Sequence, residues 1–334
     1  LRFLTLGDFG GFPIWPYYSR GQNKVAEAMG TIAQVKDTHF QLELGDNFYF
    51  TGVKDDNDDR FKETFEDIYD ANSYMHKPWY MLAGNHDHYG NASAQVAYTK
   101  KSNRWAFPSL YYKIGYKLSD NTLVEILVID TVVLCGNTLD GDVNMGSWWE
   151  LLTEKHDEQP RGPRNIELAE EQWTWLETQL RDSKADYLFV AGHYPVYSIC
   201  SHGPTDCLVQ RLKPLLHQYK VTAYLCGHDH NVQHLKVTEQ GATVHYIVNG
   251  ASSRAHSNTK HKDDVPKDSL MFHWPTGWNP TGQLGFTDGA FLYTELSANQ
   301  GIFEVFTGDG DSVYRTEFEK RVVENEDEVN GFFW

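Results

Sequence analysis

Residues 40–52, FQLELGDNFYFTG, join a short apolar run to a Gly-Asp pair and then to an aromatic loop. A run of this kind, rich in aromatic and aliphatic side chains and cut off by a Gly-containing polar turn, reads as a buried strand. Asp46 then stands at the carboxyl end of that strand, and Tyr49 follows three positions later, in a loop that would ordinarily carry small polar residues. The same plan recurs in FLTLGDFG (3–10), WYMLAGNHDH (79–88), VEILVIDTV (124–132), YLFVAGHYP (187–195), AYLCGHDHN (223–231) and VHYIVNGAS (244–252).

Between the strands, residues 22–37, 58–70, 167–183 and 206–219 have helical character. In the third of these, Leu168, Trp175, Leu176, Gln179 and Leu180 form the expected core-facing stripe. Strands alternating with helices predict α/β layers, with the chain after residue 220 rich in strand. We expect one domain over 1–316, an acidic tail over 317–334, and two long loops at 136–165 and 252–285. A net charge of -17 on 334 residues argues against nucleic acid as a main partner, because phosphate backbones need a clustered positive surface. No apolar run is long enough to span a bilayer. The chain opens on Leu1-Arg2-Phe3, already strand-like, so any signal peptide is expected to have been removed.

Residues of metal-binding type gather after the strands: Asp8, Asp46, Asn85, His86, His193, His228 and His230. Singly, each has an ordinary explanation as a turn, a helix cap or a satisfied polar group. Five strands ending in Gly-Asp, Gly-Asp, Gly-Asn-His, Gly-His and Gly-His-x-His make a joint pattern that chance does not supply. Ligands of α/β sheets collect beyond the carboxyl ends of strands, and a Gly there lets the chain turn sharply. His228 and His230 could serve one metal together or two neighbouring metals separately. One catalytic zinc needs three protein ligands, and this set supplies about twice that number, which favours two ions sharing a carboxylate.

GDFG (7–10), GDNFY (45–49), GNHD (84–87), AGHYP (191–195) and GHDH (227–230) resemble the five motifs of the purple acid phosphatases, within the calcineurin-like metallophosphoesterases. Flanking stretches such as SICSHGPTDCLV and DTVVLCGN are similar to the small animal, tartrate-resistant branch along most of residues 1–235, with weaker likeness after 250. The resemblance implies a four-layer α-β-β-α sandwich of two mixed sheets flanked by helices. It places a ferric ion on Asp8, Asp46, Tyr49 and His230, and a divalent ion on Asp46, Asn85, His193 and His228, with Asp46 bridging. The divalent ion is iron in animal members and zinc or manganese in plant ones. Two carboxylates and a phenolate against such a pair, with a bound hydroxide, leave about one positive charge to attract a phosphate monoester. An Asp in place of Asn85 would cancel it.

The implied reaction is acid phosphatase chemistry on small-molecule or phosphoprotein monoesters, a metal-bound hydroxide attacking phosphorus in line and inorganic phosphate leaving. His86, with Asp87 beside it to orient it, and His202 are the expected proton donors; Ser201 stands where the family usually has an acidic residue. An imidazole with an ordinary pKa of about 6.5 donates best at acid pH. By the same resemblance Cys135 pairs with Cys207, loop 136–165 with Trp148 and Trp149 limits substrate access, and the protein is a secreted or lysosomal monomer carrying a glycan at Asn91. Cys200 is expected to be a free thiol and Cys226 a buried hydrophobe, while His88 and Tyr89 have no assigned role. Two other readings are a catalytically silent scaffold, which would be expected to have lost ligands, and a protein Ser/Thr phosphatase. The second requires GDxVDRG where this chain has GDNFYFTG.

Overall fold

The side chains of strand β1 (Arg2–Leu6) alternate between two apolar layers, which decides the architecture. Phe3 points into one cluster and Leu4 and Leu6 into another, as the two-residue period of a strand requires. A strand buried on both faces needs a covering layer on each side. The computed structural model describes residues 1–138, 159–278, 281–286 and 288–322.

Two seven-stranded sheets provide the layers. In the first, β1 runs parallel to β2 (Phe40–Glu43), which is followed by the short β3 (Trp79–Tyr80) and β4 (Trp105–Ala106). The other edge is antiparallel and consists of β12 (Ala290–Leu296), β13 (Gly301–Thr307) and β14 (Ser312–Phe318). The second sheet is centred on the parallel strands β6 (Leu123–Val128), β7 (Tyr187–Ala191), β8 (Ala223–Cys226) and β10 (Ala242–Asn249). Its antiparallel edges are β5 (Tyr112–Lys117) on one side and β9 (Val232–Glu239) with β11 (Leu270–Trp274) on the other.

Phe3, Phe40, Leu42, Ile126, Phe189, Leu225, Ile247, Leu292 and Phe303 fill the space between the sheets. Helix α1 (Arg20–Lys36) covers the first sheet through Val25, Met29 and Ala33. Outside the second sheet lie two helices, residues Ile166–Asp182 and Asp206–Gln218, which bury Trp173, Leu176, Leu180, Leu208, Leu212 and Leu216. The result is the four-layer sandwich that the motifs imply.

Three local expectations are corrected. In the helix Ile166–Asp182, Leu168 is half exposed and the buried face is instead Ala169, Gln172, Trp173, Leu176 and Leu180. Gln172 can face inward because its amide bonds both the N–H (2.8 Å) and the carbonyl (3.1 Å) of Asp130. The stretch 252–285 is not all loop, since it contains β11. Strand β14 runs to Phe318, which sits in the inter-sheet core, and Arg321 donates to the carbonyls of Ala185, Ser183 and Tyr219. The chain is therefore anchored past 316, where the tail was expected to begin.

Candidate metal centre

The carboxyl ends of β1, β2 and β3 from one sheet and β7 and β8 from the other meet at a single edge. Asp8, Asp46 and His228 each follow a Gly after their strand and take left-handed backbone angles, φ 60°, 59° and 71°. That conformation is uncommon for a residue with a Cβ and clusters at functional sites, where the surroundings enforce it. Two glycines are needed for close approach, Gly84 before Asn85 and Gly227 before His228: a Cβ on the first would collide with the Asp46 carboxylate, and one on the second with the Asp8 carboxylate.

All seven expected ligands converge, in two groups. Tyr49 Oη lies 2.9 Å from Asp8 Oδ1 and 2.8 Å from His230 Nε2. On the other side His193 Nε2 lies 2.9 Å from Asn85 Oδ1 and 3.4 Å from Asp46 Oδ1, and donor atoms of Asp46, His193 and His228 all fall within 4.8 Å of one another. His228 and His230 thus diverge to opposite halves. Every one of these side chains except His230, which is partly exposed, is buried.

Supporting bonds set the orientations. His193 Nδ1 donates to the Leu44 carbonyl at 2.8 Å, which turns Nε2 to the site, the usual arrangement behind a metal-binding imidazole. Asp46 Oδ1 accepts the His86 N–H at 3.0 Å, and Asp8 Oδ2 accepts the His228 N–H at 2.8 Å.

The chemistry of this donor set asks for cations. Burial, followed by the Asp46 charge and opposed by His193, pushes Asp8 well above the usual carboxylate range. Burial and the charges of Asp8 and Asp46 push the Tyr49 phenol well up, against Arg254. Burial and neighbouring positive groups drive His228 and His230 well below their ordinary value. Asp46 is held low despite its burial by His193 and His86, and His193 itself, against its burial, is raised by Asp46 to about 9. Asp8 and Tyr49, pushed toward neutrality beside His228 and His230, are acids whose state a bound cation would reverse, because the ion's charge inverts the local pKa logic. Donor spacings of 2.8, 2.9 and 3.4 Å are also close to the edges of a coordination shell with bonds of about 2.1 Å.

The expected proton donors flank the centre. His86 sits beside Asp46, with Nε2 4.0 Å from Oδ2, and the His202 ring lies 4.1 Å from that of His228. Asp87 does not orient His86. The His86 ring is held by the Phe50 carbonyl, 2.7 Å from Nδ1, while buried Asp87 accepts bonds from Gly84 N, Asn47 N, Asn47 Nδ2 and Gln95 Nε2. His88 bonds Asp130 at 2.7 Å, and Tyr89 Oη donates to the Thr138 carbonyl.

Sequence reasoning missed Arg254 and His256. Arg254 packs over the Tyr49 ring, and His256 approaches His230, with ring centroids 6.0 Å apart. The available signal was that β10 ends at the same edge as the ligand-bearing strands, so the residues after it enter the site. Cys135 and Cys207 form a disulfide, while Cys200 and Cys226 are buried and not disulfide-bonded. Asn91 is exposed. Trp148 and Trp149 lie outside the described residues.

Residues 1–232 match the calcineurin-like phosphoesterase family. Tartrate-resistant acid phosphatase type 5 of Oryctolagus cuniculus is 44% identical, covering 96% of this chain and 91% of that protein, and the Homo sapiens protein gives the same values. Purple acid phosphatase 7 of Arabidopsis thaliana is 30% identical over 90% of this chain and 84% of its own length. The similarity therefore extends well past residue 235. Among solved structures, Plasmodium GAP50, described as the anchor in the inner membrane complex, superimposes with a TM-score of 0.74 at 23% identity, covering 99% of this chain and 92% of that one. A purple acid phosphatase from yellow lupin seeds gives 0.59 at 14% identity, covering 95% and 53%.

Proposed function

The chain belongs to the calcineurin-like phosphoesterases and, among them, to the tartrate-resistant purple acid phosphatases; from that premise we propose a ferric ion paired with a divalent ion as the centre on which it hydrolyses phosphate monoesters. Asp8, Asp46, Tyr49 and His230 would hold the ferric ion, and Asp46, Asn85, His193 and His228 the divalent one, with iron the leading choice for the second metal and zinc or manganese the others. The observation that carries this is Tyr49 Oη, placed between Asp8 Oδ1 and His230 Nε2 at 2.9 and 2.8 Å. A phenol, a carboxylate and an imidazole around one point suit a hard trivalent ion, whereas the imidazole and amide donors opposite suit a softer divalent one.

When bound, the ions supply a water-derived nucleophile at acid pH and neutralise charge on the phosphoryl oxygens. The chain's own groups handle the leaving oxygen. His86 Nδ1–H donates to the Phe50 carbonyl, so Nε2 is the atom available to carry a proton beside Asp46. His202 is the second candidate, positioned by its N–H bond to Asp229 Oδ1 at 3.1 Å. Asn85 contributes an amide rather than a carboxylate, which leaves the centre positive for an anionic substrate inside a protein of charge -17. Substrates would be small-molecule or phosphoprotein monoesters, with inorganic phosphate as product.

A secreted or lysosomal monomer bearing a glycan at Asn91 is the setting this reading favours. The Cys135–Cys207 disulfide and the exposed sequon support it, and no helix among the described residues is long and apolar enough to cross a membrane. A silent scaffold is disfavoured because every ligand position keeps its side chain and converges. The test is a visible spectrum with metal analysis on the purified protein and on Tyr49→Phe. We expect a broad band in the purple region that Tyr49→Phe loses; a colourless wild type holding zinc alone would overturn the ferric assignment.

A further inference from the structure

Arg254 follows β10 by five residues and is almost fully buried, 6% exposed. Its guanidinium carbon lies 4.5 Å from the centre of the Tyr49 ring and 4.7 Å from that of Phe50. Among the described residues one hydrogen bond holds it, from Nη2 to the Gly11 carbonyl at 3.2 Å, and Nε has no partner there. No carboxylate among the described residues forms a salt bridge with it. A guanidinium is permanently charged, and the cost of burying this one is opposed at a distance by Asp46 and Asp8, neither of which pairs with it directly. The ring face offers a cation a favourable contact, and the negative charge of a ferric-bound Tyr49 would lie at the same distance. Tyr49 is the ring beneath this cation, and it is also the residue assigned to the ferric ion.

We propose that Arg254 is a positioning residue for the Tyr49 ligand: it packs on the ring face and sets a fixed positive charge beside the donor assigned to the ferric ion, which lowers that donor's strength. The proposal rests on the ferric reading given above. Groups behind a ligand tune the metal it binds, and here the tuning group is a fixed positive charge that does not depend on pH. Stabilising the phenolate lowers its filled orbitals, so more energy is needed to move an electron from ring to iron. The same charge favours the less positive oxidation state of the ion, so Arg254 offsets part of the preference for ferric iron that the phenolate confers.

The experiment compares iron-replete wild type with Arg254→Met and Arg254→Gln, two neutral variants of different polarity, either of which suffices if the other does not fold. Metal content is measured on each sample. The first readout is the position of the purple band, expected to move to longer wavelength in both variants. The second is the Fe(III)/Fe(II) ratio in a fixed redox buffer, expected to rise by roughly tenfold, equivalent to about 59 mV for a one-electron couple. A purple wild type whose iron-replete variants keep its band position and ratio, or shift the opposite way, overturns the role of Arg254 and leaves the ferric reading standing. An iron-loaded wild type without the band overturns both.

Discussion

Asp87 separates two accounts of the same motif. Adjacency in GNHD suggests that it orients His86, in which case its loss should alter the pH dependence of turnover and little else. The structure gives it another task. Its carboxylate accepts Gly84 N at 2.8 Å, Asn47 N at 3.1 Å and Gln95 Nε2 at 2.7 Å, and also Asn47 Nδ2 at 3.2 Å. Gly84 and Asn47 belong to the two turns that carry Asn85 and Asp46, and Gln95 to the helix Ala92–Tyr98. Asn47 Nδ2 keeps other acceptors in Leu82 O and Gln95 Oε1, so Asp87→Ala orphans three buried donors.

At about 1–3 kcal/mol per unsatisfied buried group the gross loss is roughly 3–9 kcal/mol. Part is recovered, because the carboxylate is itself raised by burial and by the Asp46 charge, and its desolvation cost disappears with it. A net loss of about 3–5 kcal/mol is expected, on the scale measured when one partner of a buried charged pair is removed. For a domain of this size that is a melting temperature lower by on the order of 10 °C. Thermal unfolding and metal content of Asp87→Ala, read together, test this. Both should fall, because the turns that aim Asp46 and Asn85 slacken. Wild-type stability and full metal occupancy with only a changed pH–rate profile would refute the argument and restore the orienting role.

Replacing His86 or His202 by Gln should lower turnover of a phosphomonoester by about 10²–10⁴-fold if the residue donates the proton, with metal content unchanged; a variant with wild-type turnover is not the donor. Opening the Cys135–Cys207 bond, whose ends are 72 residues apart, with a double Ser variant should cost about 4 kcal/mol by loop entropy, checked by denaturant unfolding. His88 is raised despite its burial by the Asp130 charge and hydrogen bond, so its folded pKa lies above the unfolded one. The stability it contributes is then complete below about pH 6.5 and fades as pH rises through the folded value, so His88→Asn should cost about 1–3 kcal/mol at pH 5 and less at pH 9. Equal losses at the two pH values would show that the pair is not charged.

What could be read from the chain alone was local. An apolar run followed by Gly and a donor residue specifies a strand with a polar donor at its end, because the strand's two-residue period and the turn at Gly depend only on neighbours. That is why Asp8, Asp46, Asn85, His193, His228 and His230 could be singled out as strand-end candidates, with Tyr49 added through the motif resemblance, and why their convergence at one edge could be expected. Tertiary structure decided what depends on distance across the fold. It set which sheet supplies which candidate ligand, and it parted His228 from His230 through the left-handed turn at His228. It chose the Phe50 carbonyl over neighbouring Asp87 as the partner of His86. It turned Gln172 inward, because the Asp130 backbone was there to satisfy its amide. It also brought Arg254, remote in sequence, over the ring of Tyr49. A charge can be placed on a ring face only when two sheets and their connecting loops are already packed, and no short-range pattern of residues encodes that position.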